Sequence, residues 1–437
     1  MNVLLIGSGG REHAIAWKLR QSPKLTDLHI APGNAGTAAV GHNLDLPMPK
    51  TGSSPETVAP YLDAATRLAR DLKVDLVFVA PDDPLSWGLV DSLEAAGIAA
   101  FGPSKAAAAI EASKSWAKGF MSRHDIPHAA TATFSNVEAA RRHLLSNPRA
   151  LVVKADGLAA GKGTIVCDST DEALAAIDAL MVRRTMGDSG LTVVIEDRIS
   201  GPETSAHAFS DGKTVVHMPL SCDHKTIFDG GVGPNTGGMG VYSPPPWVSA
   251  RTEAEIQTRV TLAAVAGMAA EGRSYCGVIY PGIMVTDDGI RVIEFNARFG
   301  DPEAQALLPR LDADLLEIAW ACVNGSLQEV EVRWRLEASV CVALASGGYP
   351  ASYPTGLPIS GIEDVDPGVQ VFHAGTKQDA NGVVTNGGRV LNVVALGADL
   401  EAARRKAYAN VERIRFDGMH YRRDIGAVER TGAGVQA

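Results

Sequence analysis

Leu151-Val-Val-Lys-Ala-Asp-Gly-Leu-Ala-Ala-Gly-Lys-Gly-Thr-Ile-Val-Cys167 sets a lysine at the end of one apolar run and a glycine-rich turn before the next. The Gly-Lys pair at 161–162 invites a phosphate-loop reading, which fails twice. The glycines are one residue too close, since Gly157 and Gly161 enclose three residues. The motif also needs Ser or Thr after the lysine and then a helix, whereas Gly163 leads into the extended run Thr164–Cys167. The spacing instead predicts two antiparallel strands joined by a glycine turn: a flap able to cover a triphosphate, with Lys154 aiming a charge at it. An ordinary surface hairpin is the alternative.

On either side of this hairpin the pattern changes. Upstream, the apolar runs 2–6, 28–30 and 74–80 alternate with helical patterns over 12–21, 55–72 and 86–97, ending at Ala99-Ala-Phe101. Strands and helices alternating at this spacing predict a parallel sheet with helical crossovers, placed at about 1–105. One long helix is expected over 105–124. A small α+β lobe follows at about 125–195, with strands at 151–154, 164–167 and 192–196 and a helix starting near Asp171. A larger unit runs to about 325. After it come strands at 338–345, 369–374 and 389–396, then a helix capped by Asp399 with Leu400, Ala403, Ala407, Val411 and Ile414 on one face. The tail after Gly426 is expected to fray.

Composition narrows the function classes. The 437 residues exceed one domain at roughly 100–200 residues each. With 40 basic against 50 acidic residues and a net charge of −10, the chain is a poor nucleic-acid binder. No stretch approaches the ~18–20 apolar residues of a membrane span, and the start has no basic segment of a secretory signal. The five scattered cysteines (Cys167, Cys222, Cys276, Cys322, Cys341) contain no C-x-x-C pair. They suit small buried side chains in a reducing compartment, so a cytoplasmic location is expected.

Three more segments carry chemistry. Gly7-Ser-Gly-Gly-Arg-Glu-His13 lies between a strand and a helix, where backbone N–H groups and the helix dipole hold phosphate. Glu12 stands where the dinucleotide fingerprint needs its third glycine, and Ile30 leads into Ala31-Pro-Gly-Asn34 rather than an acid for ribose. A phosphate or phosphosugar site is favoured there over a merely tight turn, and both over nicotinamide-cofactor binding. In Ile293-Glu-Phe-Asn-Ala-Arg-Phe-Gly-Asp-Pro-Glu303, an extended chain puts Glu294, Asn296 and Arg298 on one face. A carboxylate and an amide oxygen two apart suit magnesium, with Arg298 beside them to neutralise charge; the polar face of an edge strand is the alternative. Asp223-His-Lys225 precedes six glycines in the twelve residues 229–240, a loop that lets backbone approach a ligand closely.

Taken in order with Gly233-Pro-Asn-Thr-Gly-Gly-Met-Gly240, Gly347-Gly-Tyr-Pro350, Val371–Thr376, Asn386-Gly-Gly-Arg389 and Tyr421-Arg-Arg-Asp-Ile-Gly426, these segments resemble the phosphoribosylamine–glycine ligases, ATP-grasp enzymes of purine biosynthesis. The resemblance runs nearly end to end. It implies an N-terminal open parallel α/β domain (1–105), an ATP-grasp module (106–325, its flap lobe at about 125–195) and a small β-rich C-terminal domain (326–437). The implied reaction joins glycine to 5-phosphoribosylamine through a glycyl phosphate, using ATP with Mg2+ or Mn2+. Positioning and charge stabilisation then do most of the catalysis, and no nucleophilic triad is needed.

By the same resemblance Lys114, Lys154, Gly161, Gly163, Glu196 and Glu203 would hold ATP: the lysines on phosphates, the strand ending at Glu196 on adenine and Glu203 on ribose. Glu294 and Asn296 would hold the metal. Arg298, Asp223 and Lys225 would act on the acceptor side, with Gly9, Gly10, Gly33, Asn34, His224 and Asn235 binding substrate. The partners would be small molecules, with no nucleic acid and no membrane, and the monomer is favoured. The chain departs from the family pattern at Asp197, Pro202, Cys222 and Asp82, of which Cys222 and Asp82 fall near the acceptor pocket. Another ATP-grasp ligase joining a different acid and amine is the nearest alternative.

Overall fold

The most apolar run of the N-terminus is the centre of the first sheet. The computed structural model describes residues 1–158, 163–380 and 382–427. Strands β1 (Asn2–Gly7), β2 (Asp27–Pro32), β3 (His42–Asn43), β4 (Leu76–Val79) and β5 (Ala100–Phe101) form a parallel sheet in the order β3-β2-β1-β4-β5. Val3, Leu4, Leu5 and Ile6 are fully buried because helices cover both faces. Strand order reverses at β1, so the crevice for ligands opens beyond Gly7, Pro32 and Pro81.

Two expected helices are broken. The segment 86–97 is part of Asp82–Trp87 and Leu89–Ala95, parted at Gly88, whose φ of 94° is left-handed. The expected helix 105–124 is Lys105–Ala112 followed by Lys114–Arg123. Ser113 is extended between them, and its hydroxyl caps Trp116 N. Asp156, from the flap hairpin, takes Ser115 N at 2.6 Å and the Ser115 hydroxyl at 2.9 Å. Helix propensity over this alanine-rich stretch is therefore overruled by a cap from distant sequence.

The flap lobe is an antiparallel sheet of β6 (Thr131–Phe134), β7 (Leu151–Ala155), β8 (Thr164–Cys167) and β9 (Val193–Asp197), in the order β6-β9-β7-β8. Lys154 faces Thr164 across the hairpin and Ala155 N meets Gly163 O at 2.8 Å. This is the hairpin that the spacing predicts; Gly161 and the rest of 159–162 lie outside the described residues.

The large lobe starts with β10 (Glu203–Ser205), β11 (Ala208–Asp211) and β12 (Val215–His217). The chain then forms β13 (Cys222–Asp223), the hairpin β14 (Thr226–Phe228) and β15 (Val232–Asn235), and β16 (Gly240–Ser243). It returns as the long pair β17 (Cys276–Thr286) and β18 (Gly289–Asn296). β17 carries β10 and β11 on one flank and β18 on the other. Arg298 therefore lies beyond the strand that was expected to carry it, and returns to the site through its guanidinium.

The C-terminal sheet contains a difference from the sequence reading. Beside β19 (Ala338–Ala345), β20 (Gln370–His373) and β23 (Arg389–Gly397) it includes β13 and β16, in the order β13-β16-β19-β23-β20. The glycine loop is thus bound at both ends to the C-terminal sheet, although its sequence sits with the large lobe. A separate hairpin, β21 (Thr376–Asp379) and β22 (Gly382–Thr385), follows β20. The helix Leu400–Val411 packs on this sheet, capped by Asp399, which accepts from Ala402 N at 2.7 Å.

Candidate active site

β18 presents Glu294 beside Asn296 at the meeting point of all three parts of the chain. The Glu294 carboxylate lies in the field of four cations. Burial works to raise it, but the fields of Lys225, Lys154, Lys114 and Arg298 outweigh that effect, and the group is held below the usual carboxylate range. Asn296 donates to Tyr280 O at 3.4 Å and accepts from Arg298 at 3.2 Å. Among the described residues no three His, Cys, Asp or Glu side chains cluster to enclose a cation. Two hard oxygen donors beside four cations fit a magnesium that takes its other ligands from water and phosphate.

Lys154 and Lys118 share the Glu196 carboxylate, Lys154 at 3.1 Å from Oε1 and Lys118 at 3.1 Å from Oε2. Both ammonium groups also donate to Ile293 O, at 3.1 and 3.3 Å. Lys114, the first residue after the helix break, donates to Gly157 O at 3.2 Å. Lys225 pairs with Glu203 at 2.8 Å. Burial works against the Lys225 charge, but Glu203, Glu294 and Asp223 outweigh it and raise the ammonium above its usual value.

Arg298, expected on the acceptor side, pairs with buried Glu111 at 2.8 Å, and Glu111 also takes Ala297 N at 2.7 Å. Burial raises the Glu111 carboxyl to about 7 although Arg298 pulls it down. Asp223 is raised well above its usual value by burial and by the field of Glu303. Arg11, Asp82, Asp301 and Arg389 complete a charged layer drawn from the N-terminal sheet, the β18 loop and the C-terminal sheet. Arg389 pairs with Asp301 at 3.2 Å and donates to Gly237 O at 2.6 Å, which fixes the glycine loop against β23.

The residues expected to bind substrate separate into two groups. Gly9, Gly10, Gly33 and Asn34 come together at the crevice, but their donors are largely engaged. Gly9 N goes to Glu12 at 2.6 Å and Arg11 N to Asp301 at 3.3 Å. The Asn34 amide donates to Ser8 O at 2.8 Å and His373 O at 2.9 Å and accepts from Gly36 N at 2.8 Å. Asn34 therefore ties the turn to the C-terminal sheet. His224 lies against Tyr242, ring centroids 5.8 Å apart, and burial, then Arg422, holds its imidazole down at about 4. Asn235 lines a cavity of about 880 Å³ shared with Thr164, Tyr349 and His420.

Lys118, Glu111, Asp301, Glu303, Arg11 and Arg389 were not singled out from the sequence. A usable signal existed for Lys118, which follows Lys114 at helical spacing, whereas Glu111 has none because its partner is far away in the chain. Cys222, a departure from the family pattern, donates to Glu203 O at 3.3 Å, and burial pushes its thiol up to about 12.

His207 supports this site from behind. It stacks on Tyr280 with ring centroids 4.0 Å apart and accepts from Gly300 N at 3.2 Å. Burial and Arg298 lower its pKa to about 3. The unfolded chain then binds the extra proton, so this contribution is present above pH ~6.5 and fades as pH falls towards 3. In His207→Gln, the stability lost between pH 7 and pH 5 in urea titrations should shrink by about 2 kcal/mol. An unchanged loss would show that the imidazole is not held neutral.

Comparison with known proteins covers nearly the whole chain. Residues 1–111, 112–304 and 339–428 match the N, ATP-grasp (A) and C domains of phosphoribosylglycinamide synthetase. The chain is 45% identical over 433 residues to a phosphoribosylamine–glycine ligase of Rhodopirellula baltica, covering 97% of each protein. It is 47% identical over 427 residues to the trifunctional purine biosynthetic protein adenosine-3 of Gallus gallus, covering 97% of this chain and 42% of that one. The crystal structure of the Thermotoga maritima phosphoribosylamine–glycine ligase superimposes with a TM-score of 0.83 at 32% identity, over 97% of this chain and all of that one. A biotin carboxylase domain from Hydrogenobacter thermophilus shares the fold, with a TM-score of 0.73 at 14% identity over 96% of this chain and 91% of that one.

Proposed function

Because the chain belongs to the phosphoribosylglycinamide synthetase family, we propose a role for each cluster of this junction in the family's reaction. The protein is an ADP-forming carbon–nitrogen ligase that joins glycine to 5-phosphoribosylamine at the expense of ATP, giving glycinamide ribonucleotide and phosphate. A glycine carboxylate oxygen attacks the terminal phosphorus of ATP and ADP leaves. The amine of the phosphosugar then attacks the acyl carbon, and phosphate departs. Both steps transfer groups between bound reactants, so the protein's part is alignment and charge neutralisation.

In the proposed arrangement Lys114 and Lys154 take the ATP phosphates under the flap bounded by Ala155 and Gly163. The backbone of β9 at Glu196 meets adenine, and Glu203 takes the ribose hydroxyls. Glu294 and Asn296 hold Mg2+ or Mn2+, which would neutralise phosphate charge. The ionised Glu294 carboxylate is what supports this. Arg298 and Lys225 stabilise the charge that develops on the transferred phosphoryl and acyl oxygens, beside Asp223. The helix start at Gly9 and Gly10, with Gly33 and Asn34 as its wall, receives the phosphosugar.

Five free cysteines support a cytoplasmic setting. Among the described residues no helix is long and apolar enough to cross a membrane.

The observation that carries the site reading is Glu294, a half-buried carboxylate that the fields of Lys225, Lys154, Lys114 and Arg298 hold below its usual range. The test is ADP release with ATP, magnesium and glycine, with and without freshly generated phosphoribosylamine. Release should require both glycine and the phosphosugar. Release driven by another acid or amine, with none from this pair, would overturn the assignment.

A further inference from the structure

β18 pairs with β17 on one flank, and its other flank meets only an isolated bridge between His128 and Val292 among the described residues. Two lysines cap that outer edge. Lys118 donates to Val292 O at 3.4 Å and Ile293 O at 3.3 Å, and Lys154 donates to Ile293 O at 3.1 Å. Both close on Glu196, and the three side chains are at most 5% exposed. One buried carboxylate thus has two buried ammonium partners, although one would satisfy its charge.

The duplication matters because the two lysines differ in reach. Lys154 stands near the end of β7, where the glycine turn proposed to cover the phosphates begins, whereas Lys118 stands within the helix Lys114–Arg123, one turn beyond Lys114. A lysine cannot move to a phosphate if leaving strands a buried carboxylate, because an unpaired buried charge is strongly unfavourable. With Lys118 in place the carboxylate keeps a counter-ion after Lys154 departs.

We propose that Lys118 is a positioning residue for nucleotide binding: it holds Glu196 and the Ile293 carbonyl so that Lys154 can transfer to the nucleotide phosphate. This rests on the reading of Lys154 as a phosphate ligand. Lys118 itself touches neither nucleotide nor metal in this scheme. It also fixes the strand segment immediately before Glu294, linking the nucleotide lobe to the strand of the candidate metal site.

The test is calorimetric binding of ATP with magnesium, without glycine or phosphosugar, so that it does not depend on which acid is ligated. Lys118→Met should weaken ATP about tenfold, because Lys154 becomes the sole partner of Glu196. Adding Glu196→Gln to Lys118→Met should return the affinity to within about threefold of wild type by releasing Lys154. Glu196→Gln alone should bind ATP at least as tightly as wild type, which keeps the proposal testable if Lys118→Met does not fold. A merely structural lysine would lower the melting temperature with no change in affinity, and no second substitution would restore binding. Unchanged affinity in Lys118→Met, failure of the rescue, or weaker binding in Glu196→Gln would each overturn the proposal. Lys154→Met separates it from its premise: unchanged affinity there removes the phosphate reading itself, whereas a loss there with none in Lys118→Met removes only the positioning role.

Discussion

Glu294→Gln lowers turnover by about a thousandfold or more, with little change in the circular dichroism spectrum. The substitution keeps the shape and one oxygen but removes the charge that Lys225, Lys154, Lys114 and Arg298 hold ionised. The new amide and its neighbour Asn296 offer only neutral oxygens, which bind a hard divalent cation weakly, and such a cation contributes several kcal/mol to phosphoryl transfer. At 1.36 kcal/mol per decade, that is the stated loss in rate. Steady-state ADP release over a magnesium titration is the measurement. Turnover within tenfold of wild type at saturating magnesium would falsify the assignment of Glu294 to the metal.

Arg298→Met has a double effect, on stability and on turnover. It leaves Glu111 buried without its 2.8 Å partner, and removing one member of a buried pair costs about 3–5 kcal/mol. Burial already raises Glu111 to about 7, so part of the strain is relieved by taking up a proton, and the lower end of that range applies near neutrality. The sign of the pH dependence follows. A carboxyl whose folded pKa lies above its unfolded value stabilises the fold at low pH and loses that contribution as pH rises through the folded value. Arg298→Met should therefore be more destabilised at pH 9 than at pH 6 in urea titrations. Glu111→Gln in the same chain should restore most of the stability while turnover stays low, because the charge facing the reacting groups is still missing. Recovery of turnover in that double variant would reduce Arg298 to a structural partner of Glu111.

Elements set by local pattern were legible in the sequence. The largely apolar β1 and β19, the Asp399-capped helix and the flap hairpin follow from periodicity, cap chemistry and glycine spacing within a few residues. The shared face of Glu294 and Asn296 was legible for the same reason, since alternation along β18 places them together, but Arg298 lies beyond the end of that strand. What was not legible depends on partners remote in the chain. The break at Ser113 is enforced by Asp156, and the engagement of Asn34 by His373 O comes from the C-terminal sheet. Strands β13 and β16 are too short for a period-two pattern to register, and they are strands only because β19 is there to pair with. The buried cations show the same limit: Lys118 and Arg298 acquire their meaning from Glu196 and Glu111.

The β13-β16-β19 arrangement also bears on how the polypeptide reaches its native form during synthesis. Gly240 is registered opposite Val342, and β19 in turn pairs with β23, which ends at Gly397. The glycine loop cannot settle until nearly the whole chain has left the ribosome, and such long-range pairing is slow to form. A nascent chain stopped near residue 325 would expose β16 as an unpaired edge ready to associate with another copy. The C-terminal sheet thus acts as the late step that converts a vectorially emerging chain into an enzyme.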